Sequence, residues 1–336
     1  MKRARIAQLA ALALAVVLVP FPARRVESQG APQSVKPVQN GCHLCHAEYV
    51  REWRDSHHGL AWTDSLYQAA KDKLPKDQQA KCLPCHIPNP VQVSGPGKIP
   101  AVRTKAQDEG VACVSCHQIP VHGKPDDIGT IVGPYPVDQM AKSHPYKHDK
   151  SLVDSIALCA SCHGIDRDHN QVESWKGSVY EKEKVLCQHC HMPEVKRAIH
   201  DKRGAIPREG RKHTWPGARD AGMLKKAATL DVAVEGGKVR VGITNSGAGH
   251  NFPGSGEREV VLIVTVTGAD GKEAASYREV FDLRTRDNRI KPKERRALEF
   301  DAKAATGMVK VRLLYKLTPE WDEAKAAVAA EHEAKF

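Results

Sequence analysis

Cys187-Gln188-His189-Cys190-His191 obeys a five-residue rule, C-x-x-C-H. The rule recurs at Cys42-His43-Leu44-Cys45-His46, Cys82-Leu83-Pro84-Cys85-His86, Cys113-Val114-Ser115-Cys116-His117 and Cys159-Ala160-Ser161-Cys162-His163. These five copies use all ten cysteines of the 336-residue chain. Composition alone predicts roughly 0.015 such matches, so the repeat is not accidental. Two thiols two residues apart reach the two vinyl groups of one haem and form thioethers, and the following histidine is held beneath the iron. Zinc would need paired C-x-x-C units sharing one ion and gives no reason for a histidine after every second cysteine. Five disulfides leave the same histidines unexplained. The expected cofactor is therefore five covalently attached haem c groups, with His46, His86, His117, His163 and His191 as proximal iron ligands.

Composition supports that reading. The chain is 41% hydrophobic and 27% charged, with only 5% aromatic residues. No apolar run reaches the 18 or so residues of a membrane span, no heptad repeat is sustained, and the composition is not that of a disordered chain. Multi-span membrane, coiled-coil and fibrous classes are excluded. Residues 40–225 show little periodicity and are rich in Pro, Gly and His, so polypeptide alone would hardly bury a core there. Porphyrins supply the missing apolar bulk, and the haem-free chain is expected to be largely unfolded.

Residues 1–28 read as a signal peptide. Lys2, Arg3 and Arg5 precede a largely apolar stretch from Ile6 to Val19, which Pro20 and Pro22 break. The cleavage point lies between Ala23 and Gly30, with no clean small-residue triplet to fix it. Export implies a periplasmic or cell-surface location. Loss of 1–28 removes five basic and one acidic side chain, taking the formal charge from +11 to +7. Five ferric haems at about −1 each bring the holoprotein to roughly +2. The basic composition is thus no argument for nucleic acid, and membrane association is neither required nor forbidden.

The chain divides into an α and irregular multihaem cytochrome c domain wrapped round five haems (29–225), a β domain (226–318) and a C-terminal helix (319–336). Short helices are predicted at 46–55, 63–73, 151–163 and 171–182. From 226 the pattern alternates: Leu230, Val232 and Val234, a Gly236-Gly237 turn, then Val239, Val241 and Ile243, a hairpin signature. Further strands are predicted at 259–267, 276–283, 295–301 and 308–317. This spacing predicts an immunoglobulin-like sandwich. Thr318-Pro319 with Glu320, Asp322 and Glu323 reads as the start of the final helix.

Twelve histidines remain for the sixth iron positions, against few and unpatterned methionines. His43 and His189 lie inside attachment loops, and His332 lies in the charged C-terminal segment, so all three are set aside. Here the chain resembles a known family. CHLCHAEYVREWRDSHHGLA (42–61), EGVACVSCH (109–117), NQVESWKGSVYEKEKVLCQHCHMP (170–193) and GHNFPG (249–254) are similar to multihaem cytochromes c related to the tetrahaem cytochrome of ammonia oxidisers and the hydroxylamine oxidoreductase superfamily. The similarity extends over 42–318. In that family W-x-x-S-x-H carries a distal histidine, which implies His58 here, with His57 as the alternative. G-H-x-F-P implies His250, and the segment after the last motif implies His213. The resemblance also places a ligand upstream of the fourth motif, at His148 or His144, with His148 favoured. His122 is the remaining candidate, and an iron lacking a protein sixth ligand stays open.

The function expected is an exported pentahaem electron carrier with mostly bis-histidine haems, working between redox partner proteins. No acid–base pair, nucleophile motif or C-x-x-C-K haem points to catalysis. One alternative is an oxidoreductase acting on a small nitrogen or sulfur oxyanion at a five-coordinate haem. The other is a subunit of a cytochrome filament or larger complex, for which a homo-oligomer stays open.

Overall fold

The computed structural model describes residues 36–121, 128–136, 143–164, 170–202, 205–254 and 256–336. The expected signal peptide and His122 lie outside the described residues. A region of short helices and loops comes first and a β-sheet-rich region follows. Among the described residues no helix is long and apolar enough to cross a membrane.

The predicted helices form, though shorter and in pieces. Helix α1 (Ala47–Arg54) buries Val50 and Trp53, and α2 (Ser65–Asp72) is capped by Asp64, whose side chain accepts from the Tyr67 N–H. The helix predicted over 151–163 divides into Ser151–Asp154 and Ala157–His163, because Ser155 is extended between them. That over 171–182 divides into Gln171–Trp175 and Val179–Lys182, with Gly177 at positive φ between. The attachment motifs themselves end in helical turns, at Cys113–His117 and Cys187–His191 for example. Small sheets pin the intervening loops. β1 (Gln118–Ile119), β2 (Thr130–Gly133) and β3 (Tyr146–His148) form one, and β4 (Glu194–Arg197) pairs antiparallel with β5 (Arg208–Arg211) in another.

The second region is a two-sheet sandwich. One sheet has the order β10-β7-β6 and the other β12-β11-β8-β9. Here β6 is Thr229–Glu235, β7 Lys238–Thr244, β8 Glu259–Gly268, β9 Glu273–Asp282, β10 Arg295–Asp301, β11 Gly307–Lys316 and β12 Ala327–Lys335. Gly236 and Gly237 both have positive φ and close the β6–β7 hairpin in two residues. The inward faces are those the alternation predicts. Val239, Val241 and Ile243 of β7 meet Val260, Leu262, Val264 and Val266 of β8 and Val309, Val311 and Leu313 of β11, all at most 1% exposed. Each such side chain contributes about 1.5–3 kcal/mol on burial, so this sandwich carries its own core. Lys316 is buried beside Glu259 at 3.1 Å.

The C-terminal helix over 319–336 is not formed. After a single turn at Glu323–Lys325 the chain enters β12, which pairs antiparallel with β11 (Val309 with Ala334, Val311 with His332). Alanine, glutamate and lysine favour a helix locally, but β11 would otherwise be an open edge carrying buried residues. Glu331, Glu333 and Lys335 then alternate outward along β12, a period of two that the helix reading overlooked.

Candidate functional site

All ten attachment cysteines and all five following histidines line one continuous cavity of about 2430 Å³. That is several times the roughly 300–1,000 Å³ of an ordinary small-molecule site. The ten thiols are unbridged. Among the described residues no three His, Cys, Asp or Glu side chains converge on one point, as a protein-only metal site would require.

Four of the five motif histidines are held in one tautomer. His46 donates from Nδ1 to the Ile199 carbonyl (2.6 Å), His86 to Ala61 (2.6 Å), His117 to Val132 (2.8 Å) and His191 to Pro216 (2.7 Å). A carbonyl can only accept, so Nδ1 carries the proton and the Nε2 lone pair is left for a metal. The same bond fixes the ring plane and makes the imidazole more basic. Each accepting carbonyl lies at least fifteen residues from its histidine, so the tertiary fold supplies these bonds.

Three of the motif histidines face a remote imidazole. His117 and His213 have ring centroids 6.1 Å apart, His163 and His58 6.3 Å, and His191 and His250 6.4 Å. Two metal–nitrogen bonds of about 2 Å each and two half-rings add to about 6 Å. The donor set therefore fits a six-coordinate iron between each pair. The remote members suit that role electrostatically as well. Burial lowers His58 to about 3, and His213 and His250 to about 4, so all three are neutral at pH 7. His213 and His250 also carry the proton on Nδ1, donating to the Arg211 and Asn251 carbonyls.

Each remote histidine has its own support. Trp53 of α1 donates to the Val111 carbonyl at 2.7 Å, and Ser56 bonds back to the Trp53 carbonyl while accepting from the Gly59 N–H. This turn presents His58, whose own carbonyl accepts from Val111 and Ala61. His57, the alternative, also lines the cavity but is exposed and borders the Asp64–Arg219 ion pair. His250 sits in the β7–β8 loop of the sandwich. Fully buried Asn245 bonds the His250 and Ile290 carbonyls through Nδ2 and accepts the Ala248 N–H on Oδ1. Behind His213 stands Glu52. Burial alone would raise its carboxyl, but bonds from Arg197 and from the His213 N–H outweigh this and hold it below the usual carboxylate range.

The other expectations fare differently. His148 is exposed, is not among the residues lining the cavity, and turns Nε2 to the Pro134 carbonyl at 3.0 Å. The three-residue strand β3 directs it there, beside β2. His144 and His200 do line the cavity and both act electrostatically on His46. His144 donates from Nδ1 to the Pro145 carbonyl, which leaves Nε2 available, whereas His200 Nδ1 accepts from the Lys202 N–H. His43 and His189 likewise accept on Nδ1, from Val38 and Leu186, and so serve as local caps.

Adjacent motifs touch through their cysteines. Cys42 lies beside Cys113, Cys85 beside Cys162, and Cys159 beside Cys187. Sequence reading also missed Arg103. Its guanidinium is 3% exposed and spends all five donors on the Pro88, Lys105, Ala106 and Gly110 carbonyls and the Ser115 hydroxyl. It ties the second motif's exit to the third motif's start, and no local pattern announces it.

Residues 41–118, spanning the first three motifs, match the family described as cytochrome c554 and c-prime. Among solved structures, a penta-heme cytochrome c552 from Thermochromatium tepidum aligns with a TM-score of 0.62 at 20% identity, covering 90% of this chain and 100% of that one. This establishes a shared fold. A superoxide reductase from Nanoarchaeum equitans covers 34% of this chain and 94% of its own at 10% identity, with a TM-score of 0.23 that carries no argument. No curated protein matches the chain.

Proposed function

We propose that this chain, a multihaem c-type cytochrome, is an exported pentahaem electron carrier in which most irons are closed by two histidines. The carrying observation is the set of three histidine pairs 6.1–6.4 Å apart, each joining a C-x-x-C-H histidine to an imidazole from a distant segment. Haem c supplies reversible one-electron exchange. The chain's own residues do the rest. Ten cysteines tether, backbone carbonyls hold four of the proximal rings in one tautomer, and burial keeps the distal imidazoles neutral and excludes water. On this reading His213 completes the third site, His58 the fourth and His250 the fifth. His144 replaces His148 as the candidate for the first, because its Nε2 is available and it borders His46. His122 stays the candidate for the second.

The cysteine contacts support a spatial order in which the first site neighbours the third, and the second and fifth both neighbour the fourth. Cys116 also lies near both Cys159 and Cys162, which joins third to fourth. Neighbouring sites in one cavity suit electron transfer along the chain between redox partner proteins. Export rests on residues 1–28. The immunoglobulin-like reading of the sandwich rests on its strand order, with strands one, two and five in one sheet and three, four, six and seven in the other. The resemblance to the ammonia-oxidiser and hydroxylamine oxidoreductase group is supported by the match over 41–118.

The test is the optical spectrum of the reduced holoprotein before and after carbon monoxide. Three or more fifths of the haem signal should be unmoved. A response in most of the signal would remove the carrier reading and move attention to ligand chemistry at open irons.

A further inference from the structure

The geometry points to Glu52 as the positioning residue for the distal imidazole of the third site, with Arg197 fixing Glu52 in turn. This rests on the reading that His213 ligates opposite His117. His213 follows β5 after a single residue, Lys212, and no helix or strand holds it. Its main-chain N–H donates to Glu52 Oε2 at 2.8 Å. Glu52 comes from α1, 161 residues earlier, and its side chain is 15% exposed. Arg197, 10% exposed at the end of β4, grips the same carboxylate with both terminal nitrogens at 2.7 Å each. A bidentate guanidinium–carboxylate pair fixes both distance and plane, so Oε2 cannot drift from the His213 N–H without breaking the fork.

The ring of His213 is fixed by the same assembly. Tyr49, one turn before Glu52 on α1, meets it edge-to-face at 5.1 Å, and the Arg197 guanidinium lies over the opposite partner, the Tyr49 ring, at 4.0 Å. Backbone and ring are therefore both referred to α1, the helix that starts directly after His46. An ion pair that merely stapled α1 to β4 would have no use for the His213 N–H. One aimed at placing the imidazole accounts for all of these contacts.

The experiment compares His213→Ala, Glu52→Ala, Glu52→Gln and Arg197→Lys as holoproteins, each shown by mass to carry five haems. Spectra are read by electron paramagnetic resonance and by carbon monoxide response. His213→Ala should make about one-fifth of the haem signal responsive. Glu52→Ala should shift the low-spin signal of that same haem or open it partly. Glu52→Gln, whose amide oxygen still accepts the N–H but cannot take both Arg197 nitrogens, and Arg197→Lys, which also loses the fork, should both lie between the parent and Glu52→Ala. A Glu52→Ala spectrum identical to the parent, while His213→Ala opens a haem, overturns the role of Glu52 alone. An unchanged His213→Ala spectrum overturns the ligand assignment, and the role of Glu52 with it. If Glu52→Ala fails to mature, an Arg197→Lys spectrum matching the parent is the overturning result. A purely structural role would lower the melting temperature in these variants without moving one haem's signal.

Discussion

His250→Ala separates the sandwich from the fifth haem site without touching any attachment residue. His250 is the one ligand candidate carried by the sandwich, in the loop between β7 and β8, with its ring 6.4 Å from that of His191 and tilted by only 11°. Alanine removes the imidazole and leaves the loop, because Asn245 binds the His250 main-chain carbonyl and not its side chain. The sandwich core of Val241, Leu262, Val264 and Val311 is untouched, so its sheet signal should persist. One site in five loses its sixth ligand, so about one-fifth of the reduced haem absorbance should become responsive to carbon monoxide, with five haems still attached by mass. Free imidazole should reverse the change, since the space left has the shape of that ring. His148→Ala is the matched control and should change nothing, because its Nε2 is spent on the Pro134 carbonyl. If His250→Ala with five haems gives no response, or if His148→Ala gives one, inferring ligation from ring separation and tautomer is wrong.

Acid should weaken the fold before most carboxylates titrate. His58, His213 and His250 are depressed by burial from 6.5 to about 3, 4 and 4. Neutral imidazole is thus favoured in the folded chain, and the unfolded chain binds more protons between the two values. Their contribution is fully present above about pH 6.5 and is lost as pH falls toward 4, or toward 3 for His58, about 3 kcal/mol each for His213 and His250 and about 5 kcal/mol for His58. Thermal unfolding across pH 7.5 to 4 measures this, and a flat or rising melting temperature on acidification would contradict it. Trp53→Ala should cost about 3–5 kcal/mol by denaturant titration, as a buried indole is lost together with its bond to Val111. It should also loosen the His58 turn and raise carbon monoxide response at the fourth site; a variant of unchanged stability and spectrum would refute the anchoring role.

Attachment chemistry was legible because it is local. Cys-x-x-Cys-His brings three groups to one cofactor within five residues, whatever the rest of the chain does. Strands β6 to β11 were legible for a related reason, since a period of two survives in the sequence wherever one face is buried, as at Val239, Val241 and Ile243. The segment over 327–335 misled because its alanines and glutamates suit a helix, and only the open edge of β11, a tertiary fact, selects the strand.

Distal ligands are the harder case, because a sixth ligand is defined by which remote turn closes over an iron. His58 and His250 had recognisable turns around them, W-x-x-S-x-H and G-H-x-F-P, and in both the flanking residues do the positioning through main-chain bonds. His144 and His148 share one short segment, and nothing in its sequence distinguishes them. What distinguishes them is proton placement. At His117, His191, His213 and His250 Nδ1 donates to a carbonyl and Nε2 is left over, whereas the buried Nδ1 of His58 has no partner. His144 satisfies this condition and His148 reverses it, spending Nε2 on Pro134. The carbonyl that takes the Nδ1 proton is thus as much a determinant of the site as the histidine, and for His46, His86, His117 and His191 it comes from a segment that no local pattern could have named.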